Sequence, residues 1–167
     1  MLGRTSTTGW AGATMNRRGG TFLRPPTDWR TAVTSPGRDN DNRDFLRELY
    51  LASFAGEAGA FPSAMAPGFE AHVPPVLPWG GVHRGPDEFV KVVLPQLAAA
   101  LDFGSMRLES ISADGDRVAA LISARTALGT EIWIAEHWIV GNGQLQQLRV
   151  FYDDTRSIKS VLAPTAS

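Results

Sequence analysis

The sequence predicts an α+β fold with helices packed on one face of a largely antiparallel sheet. Three observations carry this. Apolar residues recur at helical spacing in the first half of the chain. From Gly104 onward the apolar period changes to two. The order of elements, helix, helix, strand, helix and then a long meander, segregates helices from strands.

Residues 1–39 mix Gly, Thr, Arg and Pro without periodicity and read as a flexible or loosely docked extension. Trp10, Phe22 and Trp29 are its candidate anchors. Arg17-Arg18 precedes no apolar stretch, so a solvated basic segment is the reading, not an export signal. Order is expected from Asp39-Asn-Asp-Asn42, because Asp and Asn side chains accept from free N–H groups at helix starts. Phe45, Leu46, Leu49, Tyr50 and Phe54 then form one helical face, ended by Gly56, Gly59 and Pro62. A short second helix is expected over 60–66 and a short strand over 69–73.

A stiff loop follows, rich in Pro, with Trp79 and the pair Gly80-Gly81. Pro86 suits a first helical turn, and Asp87 and Glu88 suit the positive end of that helix. Phe89, Val93, Leu97 and Leu101 repeat at helical spacing, and Pro95 is expected to kink or split the helix. Strands are expected over 106–113, 116–127, 130–141 and 144–153. Asp114-Gly115 and Asn142-Gly143 are two-residue hairpin signals. The folded domain spans 40–156, and 157–167 reads as a C-terminal tail.

The last hairpin allows a register count. Without a bulge, Glu136 lies opposite Arg149, Trp138 opposite Gln147, Ile134 opposite Phe151 and Ile132 opposite Asp153. The other face then carries Trp133, Tyr152 and Val150. It is too apolar for a solvated sheet back, which predicts a homodimer through it.

Composition narrows the function classes. The 167 residues are 43% hydrophobic and 20% charged, enough for a core. Net charge is -1 and the sequence pI is near 6.3, which gives no case for nucleic acid or an acidic membrane. There is no cysteine, so disulfides and thiolate chemistry are excluded. The three histidines (72, 83 and 137) lack metal-ligand spacing, so no metal is expected. No Gly-rich phosphate loop and no Gly-x-Ser-x-Gly elbow occurs, and no cofactor is expected. No apolar run reaches the roughly 18 residues of a membrane span, and a cytoplasmic location is the expectation.

Six segments, in order, carry a resemblance: His72-Val-Pro, Leu77-Pro-Trp-Gly-Gly-Val-His-Arg-Gly-Pro86, Leu94-Pro-Gln-Leu97, Asp114-Gly-Asp-Arg-Val118, Glu136-His-Trp-Ile-Val-Gly-Asn-Gly143 and Leu148-Arg-Val-Phe-Tyr-Asp-Asp-Thr155. Together they resemble the SnoaL-like, ketosteroid-isomerase-related branch of the nuclear transport factor 2-like superfamily. The resemblance implies a conical, curved antiparallel sheet, the cystatin-like roll, wrapped around about three N-terminal helices. It implies a hydrophobic pocket and, commonly, a dimer through the convex sheet face. Relatives include isomerases, polyketide cyclases, epoxide hydrolases and non-catalytic binding domains, so the fold alone leaves the reaction open.

Four residues are candidates for catalysis. Asp153 falls at the Asp of the family's final-strand ending; it is either the acid/base, its pKa raised by an apolar cavity, or a strand-end cap. Asp154 beside it reads as the solvent-facing member. Glu136 and Arg149 either polarise a ligand and hold an anion or satisfy one another as a buried ion pair. Relatives often carry His at the position of Glu136. His72 is either an acid/base group or a structural histidine. Candidate substrate-binding residues are Tyr50, Trp79, His83, Trp138, Phe151 and Met106. Tyr50 is either an oxyanion donor or a core tyrosine. Three functions stand: cofactor-independent isomerisation, cyclisation or hydration of a hydrophobic small molecule; non-catalytic binding of one; and a dimeric interaction module whose own side chains fill the cavity.

Overall fold

The computed structural model describes residues 36–162. The proposed extension and its anchors Trp10, Phe22 and Trp29 lie outside the described residues, as do residues 163–167. Helix α1 (Pro36–Phe54) starts three residues before the Asp/Asn cluster, with proline at its first position, where a missing N–H costs nothing. Asn42 sits within the helix, and its side-chain amide donates to the Gly115 carbonyl at 2.7 Å. Leu46 and Tyr50 are buried, with Phe45, Leu49 and Phe54 packed beside them.

After α2 (Ala60–Ala64), β1 (Met65–Val73) begins four residues earlier than its sequence suggests. Phe69, Ala71 and Val73 alternate inward. The Pro-rich loop is part of the core, since Leu77 and Trp79 are buried. Gly80 is required there: a Cβ at that position would meet the Pro74 carbonyl oxygen at 2.3 Å. The end of the loop is a short edge strand, β2 (Gly81–Arg84), pairing Val82 with His72 and His83 with Ala71.

The next helix runs in three pieces: α3 (Gly85–Glu88), a π-helical turn (Phe89–Val93) and α4 (Leu94–Ala100). Leu94 N–H donates to Phe89 O, five residues back. Pro95 has no N–H to offer and its ring crowds the carbonyl four residues back. The wide turn sits just before it and lets the helix continue, so the chain splits at the place expected without a sharp break.

Strands β3 (Leu101–Asp114), β4 (Arg117–Thr126), β5 (Glu131–Gly141) and β6 (Gln144–Tyr152) complete a curved six-stranded sheet of order β2-β1-β6-β5-β4-β3. It is mixed, not wholly antiparallel, because β1 runs parallel to β6. Asn142 and Gly143 both have positive φ, 54° and 70°, as a type I′ turn needs. In the β3–β4 hairpin Asp114 pairs with Arg117, so the central residues are Gly115 and Asp116. Only Gly115 has positive φ, the type II′ pattern, one residue later than the Asp-Gly signal suggests.

The β5–β6 register corrects the bulge-free count. Val140 pairs with Leu145, but Ile139 pairs with Gln147, leaving Gln146 as an extra residue. Its side chain donates to the Gly141 carbonyl at 3.1 Å. One extra residue exchanges the faces of everything beyond it. Glu136 therefore lies opposite Val150, and Arg149 lies opposite His137. Val150 and Tyr152 turn to the helix-covered face, leaving Trp133 on the outer face with Phe151.

Residues 157–162 are not a tail: Thr155–Leu162 is helix α5, with Ile158 fully buried. Asp154 caps it, accepting from the N–H groups of Arg156 and Ser157 at 3.0 Å and from the Ser157 hydroxyl. The Ser157 hydroxyl, with these amides, holds its carboxyl below the ordinary aspartate range. Among the described residues no helix is long and apolar enough to cross a membrane.

Candidate functional site

Helical spacing puts Tyr50, Ser53 and Phe54 on one flank of α1, three and four residues apart. Strand alternation puts Glu136 and Trp138 on the helix-facing side of β5. Phe61 of α2 closes the gap, edge-on to Tyr50 at 5.1 Å and stacked on Trp138 at 5.3 Å. These side chains border a cavity of about 100 Å³, completed by apolar residues of the π turn, α4 and β3.

The wall holds one acid. The Tyr50 hydroxyl donates to Glu136 Oε2. The Trp138 indole N–H donates to the Tyr50 oxygen at 2.8 Å and to Glu136 Oε2 at 3.1 Å. Both donors meet the same carboxylate oxygen. Among the described residues none donates to Oε1, and no Lys, Arg or His lines the cavity. Burial pushes the Glu136 carboxyl above the ordinary glutamate range, against the lowering effect of Tyr50 and then Trp138. Tyr50 is pushed well above the ordinary phenol range, first by burial and then by the Glu136 charge, so it serves as a neutral donor. Burial likewise raises Tyr152, with Glu136 adding to it. Ser53 supplies the remaining polar side chain of the wall, and its hydroxyl makes no hydrogen bond among the described residues.

The sequence candidates divide accordingly. Tyr50, Glu136, Trp138 and Met106 come together at the cavity. Asp153 does not: it is exposed on the outer face, where its Oδ1 accepts from Trp133 N–H at 2.8 Å and its own N–H donates to Trp133 O at 3.1 Å. It closes the end of the β5–β6 ladder and lies outside the cavity. Arg149 and Phe151 share that face, placed there by the Gln146 bulge, so the Glu136–Arg149 pair does not form. His72 is also outside, with Nε2 3.2 Å from the Gln147 amide and 3.6 Å from Glu70.

Trp79 and His83 belong to the loop core and not to the pocket. His83 is buried, with Nε2 2.8 Å from the Trp79 carbonyl and Nδ1 3.1 Å from Glu88, which ties the loop to α3. Sequence reasoning missed Ser53 and Phe54 as cavity residues, although their spacing from Tyr50 gave the signal. It also missed Phe61 and Phe103, for which no local pattern exists.

No family model matches the chain, and no curated protein matches it. Solved structures do. An NTF2-like protein of Burkholderia thailandensis is 24% identical, with a TM-score of 0.63 over 74% of this chain and 98% of its own. A protein of Jannaschia named for the SnoaL-like polyketide cyclases is 17% identical, with a TM-score of 0.62 over 78% of this chain and 97% of its own. A cystatin-like-fold protein of Xanthomonas campestris is 17% identical, with a TM-score of 0.64 over 74% of this chain and 98% of its own. The chain thus has the NTF2-like fold, the α+β cone shared by SnoaL-like and cystatin-like domains.

Proposed function

We propose that the cavity takes a small hydrophobic molecule and that Glu136 exchanges a proton with it. This makes the chain a cofactor-independent enzyme of isomerase, cyclase or hydration type. One observation carries the reading: among the described residues Glu136 is a partly desolvated carboxyl with no cationic partner, its Oε2 held by two donors and its Oε1 accepting from none. A carboxylate whose pKa is raised toward neutrality can both take and return a proton. Tyr50 and Trp138 fix its orientation, and the Ser53 hydroxyl is available to an oxygen of the substrate. The polyketide cyclase name of one structural neighbour supports chemistry at a carbon skeleton. Native mass spectrometry of the purified chain tests the reading. A retained apolar small molecule is expected, displaced when Tyr50 and Phe61 are replaced by alanine together. A ligand retained equally by that variant would place its site elsewhere.

We also propose a homodimer through the outer sheet face, centred on Trp133 and Phe151, which are 39% and 52% exposed. Val150 and Tyr152 play no part in that surface. Sedimentation is expected to give twice the chain mass, and Trp133→Glu to give monomers, because it buries a charge at the centre of the contact. A wild-type monomer at high micromolar concentration would rule the dimer out.

A further inference from the structure

We propose that Phe103 sets the size limit for what enters the cavity and that a bulge in β3 holds it in place. The inference rests on the reading of the cavity as a ligand site. Asp102 pairs with Arg125, yet the next pair is Arg107 with Ser123, so residues 103–106 stand opposite Ala124 alone. A surplus of three residues far exceeds an ordinary one-residue bulge.

The surplus is braced from both ends. Gly104 N–H donates to Asp102 Oδ1 at 3.0 Å, and the Ser105 hydroxyl donates to the Asp102 carbonyl at 2.6 Å. Ser105 Oγ also accepts from Arg125 N–H at 2.8 Å, so a side chain of β3 stands in for a backbone acceptor opposite β4. Arg107 donates to the carbonyls of Gly104 at 3.1 Å and Met106 at 2.7 Å. The segment is an ordered projection and not a slack loop.

What it projects is Phe103 and Met106, both of which line the cavity. Phe103 is 43% exposed, and every other described lining residue is buried or half-buried. A phenyl ring that borders the cavity and meets solvent stands at its opening. The cavity itself holds about 100 Å³. That is less than the roughly 150 Å³ known to accept benzene. The ring at the opening therefore decides whether an aromatic ligand fits.

The test uses the full chain and three probes of rising size, propan-2-ol, phenol and 2-naphthol. Binding is followed by NMR at the Trp138 indole N–H, and thermal melts check folding, which replacement of an exposed ring should leave intact. In the wild type, affinity is expected to fall already at phenol and further at 2-naphthol. Phe103→Ala should bind 2-naphthol about tenfold tighter and propan-2-ol nearly as before, because the added ring gains buried area. Phe103→Trp should weaken phenol about tenfold by narrowing the opening. The same order and spacing of affinities in all three proteins would overturn the size limit while leaving the ligand site standing. No response of Trp138 to any probe in any variant would overturn the ligand site, and the size limit with it.

Discussion

Trp138→Ala should lower the free energy of unfolding by about 3–5 kcal/mol, the range for deleting a buried large aromatic. Trp138 is 2% exposed. Its ring stacks on Phe61 at 5.3 Å and near Phe69 at 6.3 Å, joining the helices to the sheet. Its N–H is also one of the two donors to Glu136 Oε2. The substitution therefore leaves a void and removes a donor from a half-buried carboxyl, and the two costs add. Against a total stability of about 5–15 kcal/mol, that is a large fraction of what keeps the chain folded. Trp138→Phe separates the terms: it keeps most of the ring and loses the N–H, so about 1–3 kcal/mol is expected. It should also raise the Glu136 pKa further, since the indole bond lowers it. Urea titration measures both. An alanine variant within about 1 kcal/mol of wild type would show that the aromatic wall is not tied into the core.

The same residues show where sequence reasoning held and where it stopped. Asn142-Gly143 announced its turn because both central positions need positive φ, and few residues tolerate that. Gln146 gave no such notice. A bulge depends on how two strands meet, and the local pattern around Gln146 reads as ordinary strand. That single residue moved Arg149 and Phe151 to the outer face and Val150 and Tyr152 to the inner one. It separated Glu136 from Arg149 and left the carboxyl with no cationic partner among the described residues. The proposed base thus moved from Asp153 to Glu136, first read as either a ligand-polarising group or half of a buried ion pair. The parallel pairing of β1 with β6 was equally silent, because it joins segments some 80 residues apart. Tyr50 and Phe54, by contrast, were legible from helical spacing, since that period is a property of one segment alone. The Asp154 cap was legible in part: a strand-end Asp at this point was anticipated, but its neighbour took the role.

Glu136→Gln should reduce turnover by about 10²- to 10⁴-fold, the usual loss when a positioned acid/base is removed, without unfolding the chain. Glutamine keeps the shape, and its carbonyl oxygen can still accept from Tyr50 and Trp138. It cannot take a proton at neutral pH. The pH dependence of stability supplies a readout independent of any substrate. Burial raises the folded-state pKa of Glu136 above its unfolded value of about 4.3, so the folded chain holds this proton to higher pH than the unfolded chain does. The contribution of Glu136 to wild-type stability therefore declines as pH rises from about 4.3 through the folded pKa, and above it the full cost of the partly desolvated anion is present. Glutamine carries no such cost. The two melting curves should nearly coincide at pH 4 and diverge in favour of Glu136→Gln toward pH 8. A variant that gains no stability relative to wild type over that range would mean Glu136 is well solvated. A poised proton donor and acceptor in an apolar cavity would then have no physical basis, whatever the turnover measurement gave.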